Sequence, residues 1–143
     1  MDTSSVTLVV DDDAVARFLT CRLLRQEQVP GRVLEASNGQ QALEVLQELC
    51  ASTQPPLSVL VLVDINMPVM NGLEFLRQQQ ALPALHCQVM TTVVVSSSAA
   101  EADRERAQAL ASAYVTKPLT QSVLHQLVQQ HLASSGLGCA SGQ

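Results

Sequence analysis

The run Leu60-Val61-Leu62-Val63 ends abruptly at Asp64 and is followed by Ile65-Asn66-Met67-Pro68. Consecutive apolar residues, every second one β-branched, with no polar alternation suit a strand covered on both faces, as in the middle of a parallel sheet flanked by helices. The carboxyl end of such a strand is where doubly wound folds place their ligands. Pro68 blocks immediate helix entry, and Asn71-Gly72 supplies a turn before Leu73-Glu74-Phe75-Leu76-Arg77 resumes helical spacing. Asp64 therefore falls on a strand-to-loop corner. Alone, such an acid would only cap a turn; the rest of the chain gives it company.

The same alternation runs from end to end. Strands are expected at residues 6–10, 32–36, 57–63, 89–95 and 113–116, and helices at 14–28, 39–50, 72–80, 100–111 and 120–133. In the first helix the apolar set Val15, Phe18, Leu19, Leu23 and Leu24 recurs at helical spacing; in the second, Ala42, Leu43, Leu46 and Leu49 share a face. Pro30-Gly31, the loop 52–56 and the proline-interrupted segment 82–86 punctuate the pattern, and the Gly/Ser-rich tail 134–143 reads as disordered. Five strands alternating with helices imply right-handed crossovers and a mostly parallel α/β three-layer sandwich. The 143 residues suffice for one domain, at 1–133, with its own core. Aromatic residues make up only 2%, so that core must be built from Leu, Val and Ala.

Composition also narrows function. A net charge of −5 argues against a nucleic-acid partner held by charge. The amino-terminal residues lack a basic region, and the apolar run from Val6 is too short for a signal peptide or membrane span, which points to a soluble, cytoplasmic protein. Cys21, Cys50, Cys87 and Cys139 show no paired metal-ligand spacing and read as small hydrophobes or free thiols; His86, His125 and His131 form no ligand cluster.

The sandwich brings strand ends together. Asp11 and Asp12 after the first strand, Asp64 after the third, Ser96 at the end of the fourth and Lys117 after the fifth would ring one crevice, and Lys117 is the only lysine in the chain. Asp13 serves better as a cap for the first helix. Clustered carboxylates raise one another's pKa unless a cation is present, and Mg²⁺ suits a few carboxylates together with phosphate oxygens and water. The set fits phosphoryl transfer to a carboxylate. Asp12 and Asp64 would bind the metal directly, Asp11 directly or through a water, and the Asn66 carbonyl would complete the protein share. Asp64 would attack phosphorus while Lys117 and Ser96 contact the equatorial oxygens.

Val9-Val10-Asp11-Asp12-Asp13, Val63-Asp64-Ile65-Asn66-Met67-Pro68-Val69-Met70-Asn71-Gly72, Val95-Ser96-Ser97-Ser98 and Tyr114-Val115-Thr116-Lys117-Pro118-Leu119 together resemble the receiver domain of two-component response regulators. The order and spacing match over residues 6–133, and the chain is most similar to stand-alone receivers. The resemblance implies a flavodoxin-like fold with strand order 2-1-3-4-5, a cis Lys117-Pro118 peptide, and phosphorylation of Asp64 by a histidine kinase or histidine phosphotransfer protein. It also implies a switch in which Ser96 moves inward and Tyr114 rotates behind it, with helix four, strand five and helix five as the output face toward a downstream protein. Such a protein would be a phosphoacceptor rather than a dedicated enzyme. Where the family often has Thr followed by Ala, this chain has three serines, so Ser97 is a weaker second candidate for the hydroxyl.

Other readings compete. Asp11-Asp12-Asp13-Ala14-Val15 also fits the nucleophile motif of haloacid dehalogenase-like phosphatases, with Asp11 attacking; those enzymes need a later acidic motif, and the chain has no Asp or Glu beyond Glu105. A pseudo-receiver that acts only by binding would not need the intact acids, hydroxyl and lysine. A flavodoxin would need a Ser/Thr/Gly-rich phosphate loop where three acids stand.

Overall fold

The computed structural model describes residues 5–29, 31–52, 58–82, 89–97 and 101–133. Five strands, β1 (Ser5–Val10), β2 (Arg32–Ala36), β3 (Ser58–Val63), β4 (Val89–Ser96) and β5 (Ala113–Thr116), alternate with α1 (Ala14–Gln26), α2 (Gly39–Ser52), α3 (Gly72–Ala81), α4 (Glu101–Leu110) and α5 (Gln121–Leu127). The strands form one parallel sheet in the order β2-β1-β3-β4-β5. This is the order expected, with β3 in the middle. Residues 53–56 of the expected loop 52–56, residues 83–86 of the segment 82–86, and the tail 134–143 lie outside the described residues.

The sheet is apolar on both faces because helices cover both. Val6, Leu8, Val10, Val59, Val61, Val63 and Val94 pack with residues of α2, α3 and α4. Val9, Leu60, Leu62, Val93 and Val95 pack on the other face with Cys21 and Leu24 of α1 and Leu124 and Leu127 of α5. Alternate residues of β3 thus serve opposite layers, and none of them can be polar without burying an unpaired group.

Helix starts follow side-chain capping chemistry. Asp13 accepts from the backbone N–H of Val15 and Ala16, Asn38 from Gln41, Asn71 from Glu74 and Thr120 from Val123. At the far end α1 stops at Gln26 rather than at the expected residue 28, because Gln28 adopts φ 57°. The last helix is not uniform: beyond Leu127 it loosens into a π-helical turn over Val128–Ala133. Glu27, at the end of α1, is held by Gln121 and His125 of α5.

The helix expected around the first apolar set forms, but its buried face is a different one. The apolar set of the first helix does not form its buried stripe: Val15, Phe18 and Leu19 are each at least half exposed, Leu23 is partly buried, and only Leu24 of the five is in the core. The inward stripe instead passes through Arg17, Cys21 and Leu24, spaced by four and three residues. Burial, followed by the nearby Glu35, pushes the Cys21 thiol up from its ordinary pKa, as befits an unreactive packing residue. Among the described residues no helix is long and apolar enough to cross a membrane.

Candidate functional site

β1 and β3 deliver their acids, β4 its serine and β5 its lysine to one end of the sheet. Val10 and Val63 are register partners, so the residues after them, Asp11 and Asp64, leave the sheet side by side. Backbone bonds extend the ladder one step further: Asp11 N–H donates to the Ala36 carbonyl at 3.1 Å and Asp64 N–H to the Val10 carbonyl at 3.0 Å. On the other side Ser96 pairs with Thr116, and the next residue, Lys117, donates its N–H to the Ser96 carbonyl at 2.9 Å. The Lys117-Pro118 peptide is cis.

The side chains meet above these strand ends. Lys117 Nζ donates to Asp11 Oδ2 at 2.9 Å and to Asp64 Oδ2 at 3.1 Å, closing a bridge across residues far apart in sequence. Asp11 and Asp64 are only 7% and 8% exposed, whereas Asp12 is open to solvent. Burial works against the charge on Lys117, yet the hydrogen bonds and attraction of the two carboxylates outweigh it and raise its pKa. The ammonium is therefore fully charged at neutral pH. Each of Asp11, Asp12 and Asp64 offers a carboxylate oxygen within 4.8 Å of the others. All are hard oxygen donors, two nearly buried and one exposed, which fits a dication that keeps part of its hydration shell.

Ser96, the last residue of β4, is fully buried and Ser97, just beyond the strand, is exposed, which distinguishes the two candidate hydroxyls. Asn66 is exposed and donates its N–H toward Asp64 Oδ1 at 3.4 Å. Tyr114 is half-buried on β5, with the Arg104 guanidinium of α4 at 5.2 Å from its ring centroid. Asp13 is occupied as the α1 cap and also donates its own N–H to Asp11 Oδ1 at 3.0 Å.

Two constraints at the β3 corner were not visible in the motif spacing. Gly72 is not only a turn residue. A Cβ there would lie 2.2 Å from the Asp64 carbonyl oxygen, so the start of α3 can pack beneath Asp64 only without a side chain. Val69 adopts φ 66°, a rare conformation for a β-branched residue, inside a tight turn in which Met70 N–H donates to the Pro68 carbonyl at 2.7 Å. Its side chain is 82% exposed and gains little packing in return. Relief of such strain is worth about 1–3 kcal/mol, against about 0.5–1 kcal/mol for the added freedom of glycine when unfolded. Val69→Gly is therefore expected to stabilise the protein by about 1 kcal/mol, read as a higher urea midpoint at unchanged slope. A lower midpoint would show that the turn is not strained.

The family model for the response regulator receiver domain matches residues 7–129. The protein-glutamate methylesterase/protein-glutamine glutaminase of Treponema pallidum is 35% identical over 123 residues, which is 82% of this chain but only 27% of that protein. A two component response regulator from Cytophaga hutchinsonii superposes with a TM-score of 0.77 at 28% identity, covering 92% of this chain and 98% of that one. The Mn²⁺-bound form of another response regulator superposes with a TM-score of 0.67 at 26% identity, covering 95% and 96%.

Proposed function

The chain belongs to the response regulator receiver domain family, and from that premise we propose that Asp64 accepts a phosphoryl group from the phosphohistidine of a histidine kinase or phosphotransfer protein. The observation that carries this reading is the lysine bridge: one ammonium within 3.1 Å of two nearly buried carboxylates that share an oxygen cluster with a third. Structural ion pairs seldom set two nearly buried acids on one amine with a third acid beside them at the ends of the central strands, because the unmatched charge would be costly. A site awaiting a dication and a phosphoryl group accounts for the surplus.

In this reading an Asp64 carboxylate oxygen attacks phosphorus, the P–N bond to the donor imidazole breaks as the O–P bond forms, and the imidazole leaves with the bonding pair. Lys117 stays charged and follows the negative charge onto the phosphoryl oxygens, with the Ser96 hydroxyl moving toward the same group. Asp11, Asp12, Asp64 and the Asn66 carbonyl would hold Mg²⁺, which would supply positive charge against those oxygens. Withdrawal of Ser96 opens space for Tyr114, and the face formed by α4, β5 and α5 reports the change to a downstream protein. The protein acts by contact, as a phosphoacceptor and not as a dedicated enzyme.

The donor has an apolar landing place beside the acceptor. Val15, Phe18 and Leu19 project from α1, and a groove of about 390 Å³ between Leu19, Leu23, Val95, Pro118 and Leu119 includes Lys117 in its wall. Exposed apolar residues concentrated next to a reactive group are the usual sign of a partner.

Incubation with phosphoramidate, a small donor with the P–N bond of phosphohistidine, tests the reading. The expected product carries one phosphoryl group, forms only with Mg²⁺ and is cleaved by hydroxylamine, as an acyl phosphate must be. A hydroxylamine-stable adduct would exclude a carboxylate as acceptor, and steady turnover of a phosphomonoester would favour the phosphatase reading through Asp11 instead.

A further inference from the structure

Every polar atom of Asp11 is engaged in a hydrogen bond. Its N–H donates to Ala36, its Oδ1 accepts from Asp13, its Oδ2 accepts from Lys117, and its carbonyl accepts from the Arg17 guanidinium at 2.6 Å. The first bond extends the β1–β2 ladder, and the second and third belong to the turn and the pocket. The last comes from a side chain one turn into α1, which also donates through Nε to Glu35 of β2 at 3.1 Å. The Arg17 side chain is only 19% exposed, and it starts the inward stripe of α1 where a hydrophobic residue would ordinarily sit.

The Asp11 carbonyl belongs to the peptide that joins Asp11 to Asp12. Fixing that oxygen fixes the plane of the peptide, and with it the direction in which the chain leaves toward Asp12. Asp12 is exposed. A guanidinium near a cation site also acts the other way, by repulsion. Glu35 decides between the two effects: the paired Arg17 and Glu35 bring almost no net charge, so orientation remains as the main contribution. Arginine alone can serve both acceptors, because its planar fork presents several donors in fixed directions.

We propose that Arg17, buttressed by Glu35, is a positioning residue that orients the Asp11–Asp12 peptide and thereby sets the affinity of the acidic cluster for a divalent cation. The proposal rests on the phosphoacceptor reading and deepens it. Residues that orient ligands from behind typically change metal affinity about tenfold or more when lost.

The test measures Mg²⁺ binding directly, by calorimetric titration of the full chain, alongside the Mg²⁺ dependence of phosphorylation by phosphoramidate. Arg17→Ala is expected to weaken Mg²⁺ binding about tenfold. The Mg²⁺ concentration for half-maximal phosphorylation should rise in step, while the rate at saturating Mg²⁺ falls much less. Arg17→Lys, which keeps the charge but loses the fork, should fail to restore affinity, and Glu35→Gln should weaken binding by a few fold. Unchanged or tighter Mg²⁺ binding in Arg17→Ala would overturn the proposal, since loss of a merely repulsive charge tightens it. If Arg17→Ala does not fold, the other two variants decide, and wild-type affinity in both would overturn it. Wild-type protein that bound no Mg²⁺ would overturn the phosphoacceptor reading itself, and this inference with it.

Discussion

Replacing Lys117 with methionine is expected to slow phosphorylation of Asp64 by about a hundredfold or more at saturating Mg²⁺, the scale on which a lost charge-stabilising donor acts. Without metal the same change should also destabilise the fold. It leaves Asp11 and Asp64, both less than a tenth exposed, facing each other without the ammonium that joined them. Removing one partner of a fully buried pair costs about 3–5 kcal/mol; Lys117 keeps 27% exposure, so about 1–3 kcal/mol is the reasonable scale here. Because the folded-state pKa of Lys117 is raised, its stabilising effect is fully present below the ordinary value of 10.5 and is lost only as pH rises through the higher folded value. The difference between wild type and variant should therefore persist across neutral pH. Mg²⁺ should stabilise the variant more than the wild type, since it supplies the positive charge the variant lacks. Urea melts with and without Mg²⁺, together with phosphoramidate time courses, measure all of this. A wild-type rate in Lys117→Met would remove the lysine from the mechanism.

The largest loss of stability is expected from Phe75→Ala. Phe75 is fully buried on α3 against α2 and the β1–β3 layer, and it is one of two phenylalanines in a chain without tryptophan. Its surroundings have little room to close in. Its N–H donates to the Asn71 carbonyl, Gly72 donates to the Ile65 carbonyl, and a Cβ at Gly39 would already lie 3.0 Å from Phe75 Cβ. A cavity that cannot collapse puts the cost at about 3–5 kcal/mol, which is a large share of the roughly 5–15 kcal/mol that holds such a domain together. The melting temperature should fall by roughly 10–20 °C, whereas Phe75→Leu should lose no more than about half as much. A fall of only a few degrees for the alanine variant would mean that α3 shifts to fill the space.

The sheet was legible because its signals are local. Unbroken apolar runs are required where both faces are covered, and β3 carries such a run up to Asp64. The acids and the lysine were legible for a related reason, since each follows a strand and a parallel sheet gathers those ends. The face of α1 was not. Its inward stripe passes through Arg17, a residue turned toward Asp11 and Glu35, so counting hydrophobic positions selected Val15, Phe18 and Leu19, which face outward. Gly72 was read as a turn because its main constraint, the close approach to the Asp64 carbonyl, arises between elements and leaves no periodic trace. The difference in burial between Ser96 and Ser97 was not legible either, since it depends on the strand continuing through Ser96.

The central claim is that Asp64, and no other acid of the cluster, receives the phosphoryl group. Intact mass after incubation with phosphoramidate and Mg²⁺, compared among wild type, Asp64→Asn and Asp11→Asn, tests it most directly. The account predicts one added phosphoryl group in wild type, none in Asp64→Asn, and a slower, Mg²⁺-demanding gain in Asp11→Asn. An adduct that survives Asp64→Asn and disappears in Asp11→Asn would contradict it and move the nucleophile to the end of β1.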